Sequence, residues 1–106
     1  MELPETVKIG GARWTLVGDA DAANRLKEDS LYGTMLESKQ IIRIDTTNTE
    51  AKVAESLLHE LIHAIQCAYI TPGDRTEERF VKTFTAGLFQ VLRDNPDVVA
   101  FILARK

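Results

Sequence analysis

The sequence predicts a single α+β domain over residues 1–106, in which a small, mainly antiparallel sheet packs against two long helices. The chain of 106 residues is long enough for one compact domain. Apolar residues recur with a period of about two before residue 50 and of about 3.6 after it, the periods of strands and helices. Hydrophobic residues make up 44% and charged residues 27% of the chain, which excludes disordered and fibrous classes.

Strands and one short helix are expected before residue 50. Alternating apolar residues over 7–16, on both sides of a glycine turn, predict a hairpin. Residues 19–29 are polar and contain alanines, and they predict a short amphipathic helix. Residues 31–36 and 41–45 predict the two strands of a second hairpin, with the polar turn 37–40 between them.

Three helices are expected after residue 50. The first covers about 50–70, with Thr49 as its N-cap and Pro72-Gly73 as its end. The second covers about 76–94. Pro96 is suited to the first position of a short terminal helix over 96–103.

Charge, cysteine content and hydropathy exclude several classes of protein. The net charge of −3 argues against a nucleic-acid binder, which carries a basic surface. The single cysteine, Cys67, cannot form an internal disulfide, which argues against a secreted disulfide-rich domain. No apolar run approaches the roughly 18 residues of a membrane span, and residues 1–5 lack the basic and apolar regions of a signal peptide. We therefore expect a soluble, cytoplasmic protein.

One motif carries chemistry: His59-Glu60-Leu61-Ile62-His63, a match to H-E-x-x-H on the predicted long helix. Histidines four residues apart lie one turn apart on the same side of a helix, so both imidazoles can bind one metal ion. Imidazole ligands with one open position favour Zn²⁺, and Glu60 can take a proton from activated water and pass it to a leaving amine. These are the only two histidines of the chain. Random placement gives such a motif in roughly one of 600 chains of this composition.

The two histidines are expected on the solvent-exposed side of their helix. The predicted apolar stripe consists of Ala54, Leu57, Leu58, Leu61, Ile62, Ile65, Ala68 and Tyr69. The opposite, polar sector holds Lys52, Glu55, Ser56, His59, Glu60, His63, Gln66 and Cys67. The stripe centres near Ile65, and the histidines lie roughly 130–170° from that centre. This position argues against buried core histidines and leaves the ordinary solvated face of an amphipathic helix as the alternative.

Zinc requires a third protein ligand, and the residues leave two candidates open. Glu77 and Glu78 fall in the first turn of the second long helix, where the helical wheel points Glu77 inward and places Glu78 at the border of the apolar stripe. Alternatively, both carboxylates stabilise the helix N-terminus through its macrodipole.

Cys67 stands about 12 Å along the helix from His59, too far for both to bind one ion. We expect it to be a partly buried, small apolar residue.

The stretch 57–65 resembles the active-site helix of zincin metallopeptidases. Residues 5–96 resemble small phage- and prophage-encoded zincin-like proteins, which are distantly similar to the ImmA/IrrE and SprT-like groups. An Ile-x-Ile-Asp pattern at 42–45 and the segment 87–96 are further points of resemblance.

The resemblance implies a minimal zincin-like fold in which an edge strand of the sheet lies beside the cleft. It implies zinc held by His59 and His63, with Glu60 as general base. Glu78, which stands in an E-x-x-V pattern, matches the acidic third ligand of the family better than Glu77. The implied activity is zinc-dependent hydrolysis of a peptide or protein substrate. The alternative is a catalytically inactive zincin-fold module of phage or prophage origin with a binding or regulatory role.

Overall fold

The computed structural model of the protein describes residues 2–70 and 77–104 and confirms the α+β class. The elements in chain order are β1 (Thr6–Ile9), β2 (Ala12–Val17), α1 (Ala20–Glu28), β3 (Gly33–Leu36), a 3-10 turn (Glu37–Lys39), β4 (Ile41–Ile44), α2 (Glu50–Tyr69), α3 (Glu77–Asp94) and α4 (Pro96–Leu103). The predicted strands and helices are thus confirmed, with small shifts at their ends. The predicted helix end at Pro72-Gly73 and the predicted helix start at Thr76 lie outside the described residues.

The four strands form one mixed sheet in the order β1-β2-β4-β3. The β1–β2 and β3–β4 pairs are the two predicted antiparallel hairpins, with Val7 opposite Trp14 and Met35 opposite Ile42. The central pair, β2 with β4, is parallel and sets Leu16 opposite Ile42. A parallel neighbour needs a crossover connection, which α1 and β3 supply between β2 and β4. Alternation within each strand does not reveal this pairing, and the sequence did not predict it.

Helix α2 is the central helix of the domain, since it contacts β1, β3, β4, α3 and α4. The hydrophobic core consists of Val7, Ile9, Trp14, Leu16, Ile42 and Ile44 from the sheet, Val53, Leu57, Leu61, Ala64 and Ile65 from α2, and Val91, Val98 and Phe101 from α3 and α4. The strands contribute alternate residues, as expected for a sheet with one face on the core. The orientation of α2 about its own axis determines which of its polar residues are exposed to solvent.

A buried aspartate shapes the turn that leads from β4 into α2. The Asp45 carboxylate accepts hydrogen bonds from the backbone N–H of Thr47 at 3.0 Å and from its hydroxyl at 2.6 Å. Burial raises the pKa of Asp45, but these hydrogen bonds and the charge of Lys27 outweigh it, so the pKa lies below its usual value. Two residues after Thr47, the hydroxyl of Thr49 accepts from Lys52 N at 3.3 Å, which confirms the predicted N-cap of α2.

Helix α3 packs closely against the C-terminal end of α2 at Gly87. A β-carbon built on Gly87 would lie 2.7 Å from Cδ2 of Tyr69 and 2.8 Å from Cγ2 of Ile65. No larger residue fits there without a shift of one helix, so Gly87 fixes the contact between α2 and α3. Among the helices described, none is long and apolar enough to span a membrane.

Candidate metal centre

His59 and His63 lie together on the exposed side of α2, as predicted. Their ring centroids are 4.9 Å apart, and the ring planes meet edge to face at 70°. The proximity follows from the four-residue spacing, which stacks the two side chains one helical turn apart. Two exposed imidazoles at this separation offer nitrogen ligands to one common metal ion.

Glu60 is buried, which corrects the prediction that it belongs to the polar sector of the helix. It is only 8% exposed, and Ser56 on the same side of α2 is buried as well. Conversely Leu58 and Ile62, both placed in the predicted apolar stripe, are 41% and 38% exposed. The buried residues of α2 are Val53, Ser56, Leu57, Glu60, Leu61, Ala64 and Ile65. The covered face is therefore centred near Ala64 instead of Ile65, because the sheet, α3 and α4 together leave part of a broad apolar arc exposed.

His59 and Glu60 line the same cavity, which has a volume of about 380 Å³. Its lining comes from two segments: Ser30, Leu31, Tyr32 and Gly33 at the start of β3, and Lys52, Glu55, Ser56, His59 and Glu60 on α2. The volume lies at the lower end of the range for small-ligand sites. His63 stands one turn further along α2. The first histidine and the adjacent carboxylate of the motif thus face one space that a ligand can enter.

Lys52 also lines this cavity. Its ammonium group lies 4.3 Å from the ring centroid of Tyr32 and 3.1 Å from Oε1 of Glu55. These contacts are a cation–π interaction and an i,i+3 ion pair, and both restrain the Lys52 side chain beside Tyr32. The sequence analysis placed Lys52 on the same side of the helix as His59, but it could not place Tyr32 near the motif, because that proximity depends on how the start of β3 packs against α2.

Gly33 is a second residue that the sequence reasoning missed. A β-carbon at this position would lie 3.2 Å from Cγ of Glu60, so the glutamate packs directly against the start of β3. A glycine inside a predicted strand was the available signal, because such glycines often mark the close approach of another group.

Glu77 and Glu78 are both exposed in the first turn of α3, so the predicted inward orientation of Glu77 is wrong. Helix α3 approaches α2 at Gly87, nine residues after Glu78, which is about 13 Å along the helix axis. Over residues 2–70 and 77–104, no three His, Cys, Asp or Glu side chains are arranged to hold a metal ion. Glu78 as third ligand therefore stays a prediction.

Cys67 is exposed, so the prediction of a partly buried residue is wrong. Some loss of solvent around its sulfur, a hydrogen bond with Glu37 and the negative charge of that residue together raise the pKa of the thiol. Each of these influences favours the neutral thiol over the thiolate that binds metals.

Strand β3 forms one edge of the sheet and contacts α2. It pairs with β4 on one side, and its first residue, Gly33, lines the cavity shared by His59 and Glu60. An edge strand therefore lies beside the candidate site, the position that the resemblance implied.

Compared with protein-family models, curated proteins and solved structures, the chain matches none. No relative assigns a role to any of its residues. The function is therefore argued from the motif, its surroundings and their chemistry.

Proposed function

We propose that this protein is a zinc-dependent metallopeptidase with a minimal zincin-like fold. The observation that carries the proposal is the arrangement on α2, where the exposed imidazoles of His59 and His63 lie 4.9 Å apart and Glu60 faces the cavity lined by His59. Imidazole nitrogens are ligands that Zn²⁺ favours, so the donor set fits this metal. His59 and His63 would hold the ion, and the resemblance supplies Glu78 as the candidate for the third position.

The chemistry divides between the metal and Glu60. When bound, zinc supplies Lewis-acid activation of water and of the scissile carbonyl. Glu60 accepts the proton of the attacking water and then donates it to the amine that leaves as the C–N bond breaks. Glu60 is buried, its Cγ lies against the start of β3 at Gly33, and the residue lines the cavity, so its side chain has little room to move. A base confined in this way spends more of its time in reach of the reacting atoms.

Strand β3 supports a peptide as the substrate. A peptide in extended conformation can add to the edge of a sheet through backbone hydrogen bonds. The edge formed by β3 begins at Gly33, in the lining of the cavity that also contains His59 and Glu60. A chain bound along this edge would pass the candidate metal ligands, and the cavity has room for one of its side chains.

The Glu60→Gln variant tests the proposal. We expect the parent protein to cleave members of a broad peptide pool, to contain one zinc ion per chain, and to lose activity with a chelator. Glu60→Gln should lower cleavage by about 10²–10⁴-fold, the usual contribution of a general base, and should keep the zinc. Glu50→Gln, at an exposed position in the first turn of the same helix, is the matched control and should cleave like the parent.

Two outcomes would reject the proposal. If Glu60→Gln cleaves peptides as fast as the parent, Glu60 is not the base. If the parent binds zinc and cleaves no peptide in the pool, the protein is a zincin-fold binding or regulatory module instead.

A further inference from the structure

We infer that Gly33 is a positioning residue for Glu60: the missing side chain at residue 33 sets where the Glu60 side chain lies and so where its carboxylate enters the cavity. The contact itself is independent of any activity. Its consequence for catalysis rests on the proposed function.

Three neighbours enclose the space that a side chain at residue 33 would occupy. A β-carbon there would lie 3.1 Å from Cδ1 of Ile44, 3.2 Å from the carbonyl oxygen of Arg43 and 3.2 Å from Cγ of Glu60. Carbon atoms in contact prefer about 3.5–4.0 Å, so at least one neighbour must move if a methyl group is added.

Glycine is required at this position for space and not for backbone conformation. Among the described glycines, Gly10 has a positive φ, at +61°, whereas the φ of Gly33 is not positive. Strand positions favour β-branched residues, and a glycine in a strand destabilises it because there is no side chain to pack against neighbours. The close approach of Glu60 is the feature of the structure that accounts for it.

Of the three neighbours, Glu60 has the most freedom to move. The Arg43 carbonyl belongs to β4, where Arg43 is paired with Thr34 of β3. Ile44 is fully buried in the core. The Glu60 side chain instead borders a cavity of about 380 Å³. A methyl group at residue 33 would therefore displace the carboxylate and leave the sheet largely in place.

A melting-temperature cycle on the full chain, at one fixed zinc concentration, tests the contact. Gly33→Ala is made in the parent, in Glu60→Gln, which keeps Cγ, and in Glu60→Ala, which lacks it. We expect Gly33→Ala to lower Tm by about 5 °C in the first two backgrounds and by at most half as much in Glu60→Ala. Gly11→Ala is the control, since a β-carbon at Gly11 meets nothing within 4 Å. An equal loss of Tm in all three backgrounds would overturn the inference.

Steady-state kinetics test the consequence for catalysis. Gly33→Ala should lower kcat about tenfold with KM changed less than twofold and with unchanged zinc content, because small misplacements of a reacting group slow the chemical step. Gly33→Ala is also made in Ile44→Val, which lacks Cδ1, and is compared with Ile44→Val alone because the loss of a buried methyl group itself lowers Tm. In that background Gly33→Ala should lower Tm less than in the parent but should lower kcat by the same factor. Recovery of kcat together with Tm would show that Gly33 acts only on sheet packing, and it would overturn the positioning role. If the parent itself cleaves nothing, the proposed function fails, while the melting cycle still decides whether Gly33 places Glu60.

Discussion

The side-chain amide of Asn95 pairs with both backbone polar groups of Lys8, accepting from its N–H at 2.7 Å and donating to its carbonyl at 2.8 Å. Gln90 adds to this pairing, since its amide accepts from Gly10 N at 2.7 Å and donates to the Lys8 carbonyl at 3.0 Å. Gln90 of α3 and Asn95, the residue between α3 and α4, thus occupy backbone hydrogen-bonding groups at the outer edge of β1 that a neighbouring strand would otherwise pair with. The opposite edge, β3, borders the candidate metal centre.

Loss of the Asn95 amide should therefore destabilise the protein. Asn95→Ala leaves the Lys8 backbone groups without this partner, and we expect the free energy of unfolding to fall by about 2–3 kcal/mol. Asn24→Ala, at an exposed position in α1, should change it by less than about 0.5 kcal/mol. Urea denaturation of both variants measures the difference. Equal midpoints would show that the pairing contributes nothing.

Replacement of Gly87 by alanine should lower the stability of the protein, although helix propensity alone would predict an increase. In an exposed helix, Gly→Ala stabilises by about 1 kcal/mol. At residue 87 the new methyl group would overlap Tyr69 and Ile65, so we expect Gly87→Ala to destabilise by about 1–3 kcal/mol. Thr85→Ala, exposed on the same helix, is the control and should be neutral or slightly stabilising. A gain in stability for Gly87→Ala would mean that α2 and α3 are not in close contact there.

Asp45 should make the stability of the protein sensitive to acid. Its pKa is lowered in the folded state, so its contribution is present above the unfolded-state value and is lost as the pH falls through the folded-state pKa, below about 4. Asp45→Asn lacks this titration, and we expect it to be less stable than the parent by about 1–2 kcal/mol at pH 7. Urea denaturation across this pH range should show the difference shrinking in acid. A difference that stays constant from neutral to strongly acid pH would contradict the lowered pKa.

The reactivity of Cys67 should depend on Glu37. Some loss of solvent around the sulfur, the hydrogen bond with Glu37 and the charge of Glu37 raise the pKa of the thiol, and the thiolate is the reactive form. Glu37→Gln removes the charge, so the pKa should fall and alkylation by iodoacetamide at about pH 8 should become faster. Glu28→Gln, exposed on α1, should react at the parent rate. Slower alkylation of Glu37→Gln, or a rate equal to that of the parent, would contradict the influence of Glu37.

Local signals predicted most of the fold. The change of period near residue 50, the glycine turn of the first hairpin, Thr49 as a cap and Pro96 at the start of α4 each act within a few residues, and the sequence displays them directly. The parallel pairing of β2 with β4 depends on contacts between distant segments. Alternation within a strand fixes the face that each residue takes but not the neighbouring strand.

The sequence predicted only the part of the candidate site that depends on local signals. The spacing of His59 and His63 is a local property of a helix, and the structure confirms that they lie together on the exposed side. The burial of Glu60 was missed because Leu58 and Ile62 drew the predicted stripe toward a face that the sheet does not cover. Gly33 was missed because its contact with Glu60 joins residues 27 positions apart.

Zinc binding by His59 and His63 is measured most directly by titration of the metal-free protein against a competing chromophoric chelator. We predict one zinc ion per parent chain. His59→Ala and His63→Ala should each weaken zinc binding by about 100-fold or more. Loss of a residue that only hydrogen-bonds to a metal ligand typically weakens binding by less than this. Gln66→Ala, on the same helix, should bind like the parent. A parent that takes up no zinc, or two histidine variants that bind it as tightly as the parent does, would contradict a metal centre on α2.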